Sequence, residues 1–594
     1  MTPVRIALFA LVLAAAAGQA AAAGSRNILL FVADGLRYGS VSPVNAPVLA
    51  KLKAEGVDFS NSHALYPTLT TVNAAAIATG HDTGDTGDFA NSIYTGFPVT
   101  AAHGAPVASL ENDPVLAEMD AHYGGNFIGE TSLLAAATRA GFQTAVVGKL
   151  GPARIQALTA SARGTDTIVI DDSTGHDGGI ALPPGYRAAM KAAFVDPVSP
   201  PVSVPNFTQQ VHFATIAARV ILPKFKQSGR PFVLVFWSRD PDASQHKTRD
   251  SVGAISPGID GPTAAAGVRD ADTSLGVLLD ALRRLGLDRT TDVFVTADHG
   301  FATIVKSSAT SPAAHLANDG DVSLRDLPRG FLAVDVASFL RLQLYDPNGG
   351  FEPVDLARGK TTSRGAGYIG ADRGHPEAVV AANGGSDLVY LPTGEATALA
   401  RTLVSSLLKQ DYVSGIFVND RLGRIPGTLP MSAIDLMGSA KTPRPDLYVN
   451  FRSFHTGCDD PLICTVVVAD TSLETGQGAH GSFSRAETRN FMAAIGPDFK
   501  RGFVDEAPVS NADVAPTLAR LAGVEMPSRG RLVGRVLAEA LANGAPVRWT
   551  REVVASEPGE GGLRTVLDVQ RVGDRRYFDA AGFPGRTVGL VDHR

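Results

Sequence analysis

Short apolar runs without polar alternation constrain this 594-residue chain more than any other feature. They cover residues 27–33, 144–148, 167–170, 231–237, 292–296 and 490–495 and are rich in Val, Ile and Phe. A half-exposed strand alternates apolar and polar residues, so an unbroken apolar run predicts a strand covered on both faces. Helical patterns lie between the runs. Val268, Ala271, Leu275, Leu278, Leu282 and Leu285 recur every three or four positions, and Gly286 stops them. A second helix is expected over 513–521, ended by Gly523. Strands alternating with helices predict an α/β fold, a doubly wound, largely parallel sheet flanked by helices.

The alternation weakens over 302–445, where Gly349-Gly350 and Gly384-Gly385 fall. This stretch is expected to be an insertion or cap dividing the α/β core into 24–301 and 446–544. In the tail, 545–594, apolar patterns over 563–572 and 576–578 flank Gly573-Asp574 and predict a β hairpin. The first 23 residues carry Arg5, an apolar run over 6–17, and Ala21-Ala22-Ala23 before Gly24. That pattern predicts a signal peptide, and the run is shorter than the ~20 residues that span a bilayer. The expectation is an exported protein, periplasmic or secreted, without a stable membrane anchor. In an oxidising compartment Cys458 and Cys464, the only cysteines, are expected to close a small structural disulfide loop. Lys plus Arg number 53 against 59 Asp plus Glu, a net charge of −6. No basic excess is present to neutralise a phosphate backbone, which argues against a nucleic-acid polymer as partner.

Chemistry-bearing residues cluster where the predicted strands end, the place where open α/β sheets form sites. Asp34-Gly35 follows the run 27–33. Alone, it reads as a turn. The segment Tyr66-Pro67-Thr68-Leu69-Thr70-Thr71-Val72-Asn73 leads into an Ala-rich helix. The helix N-terminus would favour an oxyanion there, and Thr68, Thr70 and Thr71 all compete for the role of nucleophile. Asp242 and His246, after the run 231–237, are four apart and share a helical face. Asp298-His299-Gly300 follows the run 292–296, and the glycine permits the sharp turn that adjacent ligands need. His480 stands far downstream. Oxygen and imidazole donors of this kind suit Zn²⁺ or a similar divalent ion, and two such ions could clamp a phosphoryl displacement.

In this order Asp34, Thr70, Asp242-x-x-x-His246, Asp298-His299 and His480 resemble the alkaline phosphatase superfamily. Tyr66-Pro67-Thr68-Leu69-Thr70 is similar to the nucleophile segment of its type I phosphodiesterase/nucleotide pyrophosphatase branch, and 511–521 resembles the superfamily's late Asp-x-x-Pro-Thr-Leu helix. The resemblance spans about 27–300 and 446–540. It implies a phosphoric ester hydrolase acting on a small phosphorylated substrate through two divalent metal ions, Zn²⁺ foremost, with Mn²⁺ or Mg²⁺ as alternatives. One ion would be held by Asp242, His246 and His480, the other by Asp34, Asp298, His299 and the Thr70 oxygen. The resemblance selects Thr70 as nucleophile through a phosphothreonine intermediate. Asn73 is expected to hydrogen-bond a non-bridging phosphoryl oxygen, and Lys149, after the run 144–148, to bind substrate.

The sequence also departs from that branch. Thr71-Val72 stands where the branch has Phe-Pro, and Ala74 where it has His. The missing phenylalanine stacks on the nucleobase in nucleotide-cleaving members; Tyr94 or Phe97 could replace it. Lys149 with Arg154 nearby leaves a phosphomonoesterase on the same scaffold as the alternative. A catalytically inactive binding protein is a further alternative, although it predicts a missing ligand and every position is filled.

Overall fold

The structure is a computed structural model describing residues 26–161, 167–316 and 326–591. The expected signal peptide lies outside these residues.

The predicted α/β fold is present. Its central sheet has eight strands: β1 (Asn27–Ala33), β2 (Val57–Phe59), β3 (Gln143–Gly148), β4 (Ile168–Asp171), β5 (Phe232–Ser238), β6 (Thr291–Thr296), β7 (Met492–Ile495) and β8 (Phe503–Asp505). They lie in the order β8-β2-β7-β6-β1-β5-β3-β4. All pairings are parallel except those of β7, which runs antiparallel to β6 and β2. Every residue of β1 and β5 is buried, as unbroken apolar runs require.

Side chains along these strands divide by parity. Ile28, Leu30, Val32, Val233, Val235 and Trp237 enter one core with α1 (Thr70–Thr79) and α4 (Val514–Ala522). Leu29, Phe31, Ala33, Leu234 and Phe236 enter the other, against α3 (Pro262–Leu285). The stripe Val268, Ala271, Leu275, Leu278 and Leu282 is the face α3 buries, and Gly286 ends it in the left-handed conformation at φ 66°. Burial on both faces of one sheet defines the doubly wound arrangement.

The stretch 302–445 is more regular than its sequence suggests. Most of its strands join Leu447–Phe451 in a second, largely antiparallel eight-stranded sheet, with helices Phe331–Leu340 and Ala396–Leu407. Gly and Pro there mark the turns between short strands. A four-stranded sheet pairs Ala302–Val305 with Thr465–Val468 and with Gly478–Ala479. The tail has the expected hairpin, Val566–Val572 with Arg575–Gly582, and a third strand, Thr550–Ala555, beside it. Cys458 and Cys464 form a disulfide. Among the described residues no helix is long and apolar enough to cross a membrane.

Candidate active site

Four neighbouring parallel strands, β6, β1, β5 and β3, deliver their next residues to one cleft. Asp298 follows β6, Asp34 follows β1, Asp242 opens the short helix α2 (Asp242–His246) that comes after β5, and Lys149 follows β3. Gly35 turns the chain away from Asp34 at φ 70°, a conformation that favours glycine, and its N–H bonds Asp298 Oδ1 at 2.9 Å. Gly300 serves differently from the sharp turn expected of it. It is not among the positive-φ glycines. It provides room, because a Cβ there would lie 2.2 Å from the Ala486 carbonyl oxygen. His480 is brought in by the antiparallel pairing of Ala302 with Ala479, which sets it one residue beyond a strand that continues from His299. The rings of His299 and His480 stack with centroids 3.7 Å apart.

The three histidines share one hydrogen-bonding logic. Nδ1 of His246 donates to Gly478 O (2.8 Å), that of His299 to Gly300 O (2.9 Å) and that of His480 to Thr68 O (2.9 Å). A carbonyl can only accept, so each ring carries its hydrogen on Nδ1 and presents Nε2 to the cleft. The aspartates do the same with oxygens. Asp34 Oδ2 is bound by Trp237 Nε1 (2.7 Å) and Lys149 Nζ (3.0 Å), Asp242 Oδ2 by Lys149 (3.3 Å), and Asp298 Oδ1 by the Gly35 and His299 N–H groups. The other oxygens, Asp34 Oδ1, Asp242 Oδ1 and Asp298 Oδ2, are buried without a hydrogen-bond partner.

These free atoms form two groups. Asp242 Oδ1, His246 Nε2 and His480 Nε2 lie 3.2–3.6 Å apart. His299 Nε2 lies 3.3 Å from Asp298 Oδ2, 3.7 Å from Asp34 Oδ1 and 3.2 Å from Thr70 Oγ1. Asp242, His299 and His480 also converge within 4.8 Å, so the groups are contiguous.

Electrostatics point the same way. Burial pushes Asp298 well above the carboxylate range, and the Asp34 charge adds to it. Burial takes Asp34 up to about 7 against the pull of Lys149. Burial opposes Asp242 too, but Lys149 and His246 hold it well below its ordinary value. Burial lowers His299 to about 3 and His480 far below its usual range, which keeps both imidazoles neutral. Unpartnered buried oxygens opposite neutral imidazole nitrogens leave a deficit of positive charge. A divalent cation fits that donor set.

Thr70 is the first residue of α1, and its hydroxyl donates to His299 Nε2. Thr68 and Thr71 are committed elsewhere, Thr68 to Ser482 O and Glu487, Thr71 to Asp88 Oδ1. Asn73 sits one turn into α1 and does not reach the cleft. Its side chain accepts from Leu65 N and Asn511 Nδ2 and donates to Leu65 O and Leu69 O, which exhausts its capacity. Lys149 borders the cleft, but it hydrogen-bonds Asp34 and Asp242 and forms an ion pair with Glu111 (2.9 Å), and these charges raise its pKa despite burial. Its contacts are therefore with the carboxylates beneath the expected substrate position.

The cleft holds about 510 Å³. A larger groove of about 900 Å³, lined by Pro47, Leu52 and Leu279, contains none of these side chains. Asn91 borders the cleft beside Thr70, its Oδ1 fixed by the Thr71 N–H at 3.0 Å. No sequence motif marks Asn91. Arg329, Arg364, Asn383 and Asp470 also line the cleft. No Phe, Tyr or Trp does among the described residues. Tyr94 packs against Tyr390 (5.3 Å) and Tyr368, and Phe97 stacks on His122 (3.7 Å), so neither supplies the stacking surface considered for it.

The model of the family described as type I phosphodiesterase / nucleotide pyrophosphatase matches residues 28–355, more than half of the chain, and the chain belongs to this family. Among solved structures, an inactive form of murine ectonucleotide pyrophosphatase / phosphodiesterase 5 in complex with AMP is similar at 15% identity and a TM-score of 0.49, over 85% of this chain and 97% of that one. The human protein of the same name is similar at 14% identity and a TM-score of 0.49, over 87% and 100%.

Proposed function

We propose that this chain is an exported hydrolase that cleaves a small phosphoric diester or pyrophosphate with Thr70 as nucleophile. Two divalent cations, Zn²⁺ by the donor chemistry, would be held by Asp242, His246 and His480 and by Asp34, Asp298, His299 and Thr70. Bound there, such ions supply Lewis acidity, which activates a hydroxyl and neutralises phosphoryl charge. The observation carrying this reading is the placement of the Thr70 hydroxyl, 3.2 Å from His299 Nε2 at the start of a helix.

The chain's residues divide the work. Thr70 Oγ1 bonds to phosphorus while the leaving group departs with the P–O electron pair, and the hydroxyl proton passes to water. Water then cleaves the phosphothreonine and restores the hydroxyl. The first N–H groups of α1 and the helix dipole favour negative charge at this point. Asn91 Nδ2 takes the phosphoryl-binding role expected of Asn73, since its Oδ1 is pinned and it borders the cleft. Lys149 orients Asp34 and Asp242 and favours their charged forms, against burial.

The test is turnover of bis-p-nitrophenyl phosphate and p-nitrophenyl phosphate by zinc-loaded protein. The diester is expected to be the better substrate. Thr70→Ala is expected to lower turnover about a thousandfold or more with zinc content retained. Undiminished turnover in that variant would place the nucleophile elsewhere.

A further inference from the structure

The cations around the cleft fall into two classes. Lys149 is consumed by three carboxylates, and Arg239 is paired with Asp172. Lys247, Arg329 and Arg364 also line the cleft and make no ion pair among the described residues.

Two of these come from the stretch 302–445. Arg329 lies just before the helix Phe331–Leu340, and Arg364 just before the strand Gly367–Gly370. Arg329 Nη1 donates to the Ser363 carbonyl at 2.9 Å, which ties the two segments together. Burial lowers the Arg329 pKa, Asp470 opposes that effect, and the charge of Arg364 adds to it. The two guanidinium groups therefore repel within one wall of the cleft. Asp470, the carboxylate on that wall, is turned to its own backbone partners, Gly330 N (2.6 Å) and Leu332 N (3.4 Å). Asp470 and Asp346 attract Arg329 from beyond ion-pair distance, and neither guanidinium forms an ion pair among the described residues, which leaves both open to an anion in the cleft. No Phe, Tyr or Trp among the described residues lines the cleft to stack on a nucleobase.

Given the hydrolase reading above, we propose that Arg329 and Arg364 bind a second anionic group of the substrate, remote from the phosphorus attacked by Thr70. The substrate class is then a phosphoric diester or pyrophosphate with its own negative charge on one arm, a phosphate or a carboxylate, rather than one chosen by base stacking. The attacked phosphoryl group is matched by the donor cluster around Thr70, so these arginines act on the rest of the molecule.

The experiment compares two esters with one leaving group, phenyl p-nitrophenyl phosphate and 4-carboxyphenyl p-nitrophenyl phosphate, on the zinc-loaded full chain. The carboxylate ester is expected to show kcat/KM about tenfold higher, as one charge-assisted contact supplies. In Arg329→Ala/Arg364→Ala that preference should vanish while the phenyl ester is turned over as before. Arg364 is exposed, so Arg364→Ala alone gives a well-folded variant in which the preference should fall in part. Wild-type activity on the phenyl ester without preference for the carboxylate, or an equal loss on both esters in the variants, overturns the arginine proposal and leaves the hydrolase standing. Inactivity of the zinc-loaded wild type on both esters removes both.

Discussion

The Nε2 atoms of His246 and His480 face one another at 3.2 Å, although each ring has committed its Nδ1 hydrogen to a backbone carbonyl. Two imidazole lone pairs at that separation need a positive charge between them, a proton or a metal. Asp242 Oδ1 lies within 3.6 Å of both. Burial acts against a charged His246, but Asp242 outweighs it and raises the pKa above the ordinary value. A metal ion and a proton therefore compete for these nitrogens, and zinc affinity is expected to fall as the pH is lowered from 8 to 6. Chelator-competition titrations at both pH values check this, and a flat profile counts against the site.

Removing one ligand should separate the two groups. In His480→Ala, zinc per chain measured by elemental analysis is expected to drop by about one ion, and Asp34, Asp298 and His299 should keep theirs. Loss of both ions would show a single, inseparable centre.

Lys149 touches Asp34, Asp242 and Glu111 from below. Lys149→Ala would leave buried carboxylates without their counter-charge. Breaking a buried pair from one side costs about 3–5 kcal/mol. The metal-free variant is expected to unfold at markedly lower urea concentration than metal-free wild type, with part of the loss restored by zinc. Unchanged metal-free stability would argue that Lys149 is free to serve the substrate instead.

Asn73 and Asn91 should behave oppositely. Asn73→Ala strands the buried Leu65 N–H and the Leu65 carbonyl, while the Leu69 carbonyl keeps the backbone N–H of residue 73, at about 1–3 kcal/mol for each orphaned group, so its effect should appear in melting temperature. Asn91 is half-buried at the cleft. Asn91→Ala should lower kcat/KM with a smaller change in melting temperature.

Outside the cleft lining, Asp85 gives a pH-dependent contribution to stability. Burial opposes its charge, yet the hydrogen bonds from His81, from Ser439 N–H and from Leu532 N–H take its pKa down to about 2. A carboxyl with a depressed folded-state pKa stabilises the protein above its unfolded value near 4 and loses that contribution as pH falls through 2. The contribution is about 2 kcal/mol. Denaturant unfolding of wild type and Asp85→Asn should show a gap that narrows between pH 5 and pH 2. A constant gap would contradict the assignment.

The sequence by itself determined the central sheet and the strand ends where chemistry gathers. Unbroken runs such as 27–33 and 231–237 are legible because complete burial leaves no polar alternation, and the α3 stripe is legible because a helix buries one face. Asp34, Asp242, Asp298 and His299 could be marked because each comes within five residues of the end of such a run. Tertiary structure decided the rest. His480 joins His299 only through the pairing of Ala302 with Ala479, a long-range register that no local pattern encodes. Asn73 and Asn91 are the same residue type in the same region, and only packing shows that the first spends its amide on backbone groups while the second borders the cleft. The regularity of 302–445 was hidden for a related reason: short antiparallel strands draw their hydrogen bonds from partners distant in sequence, so their composition reads as loop until the sheet is assembled.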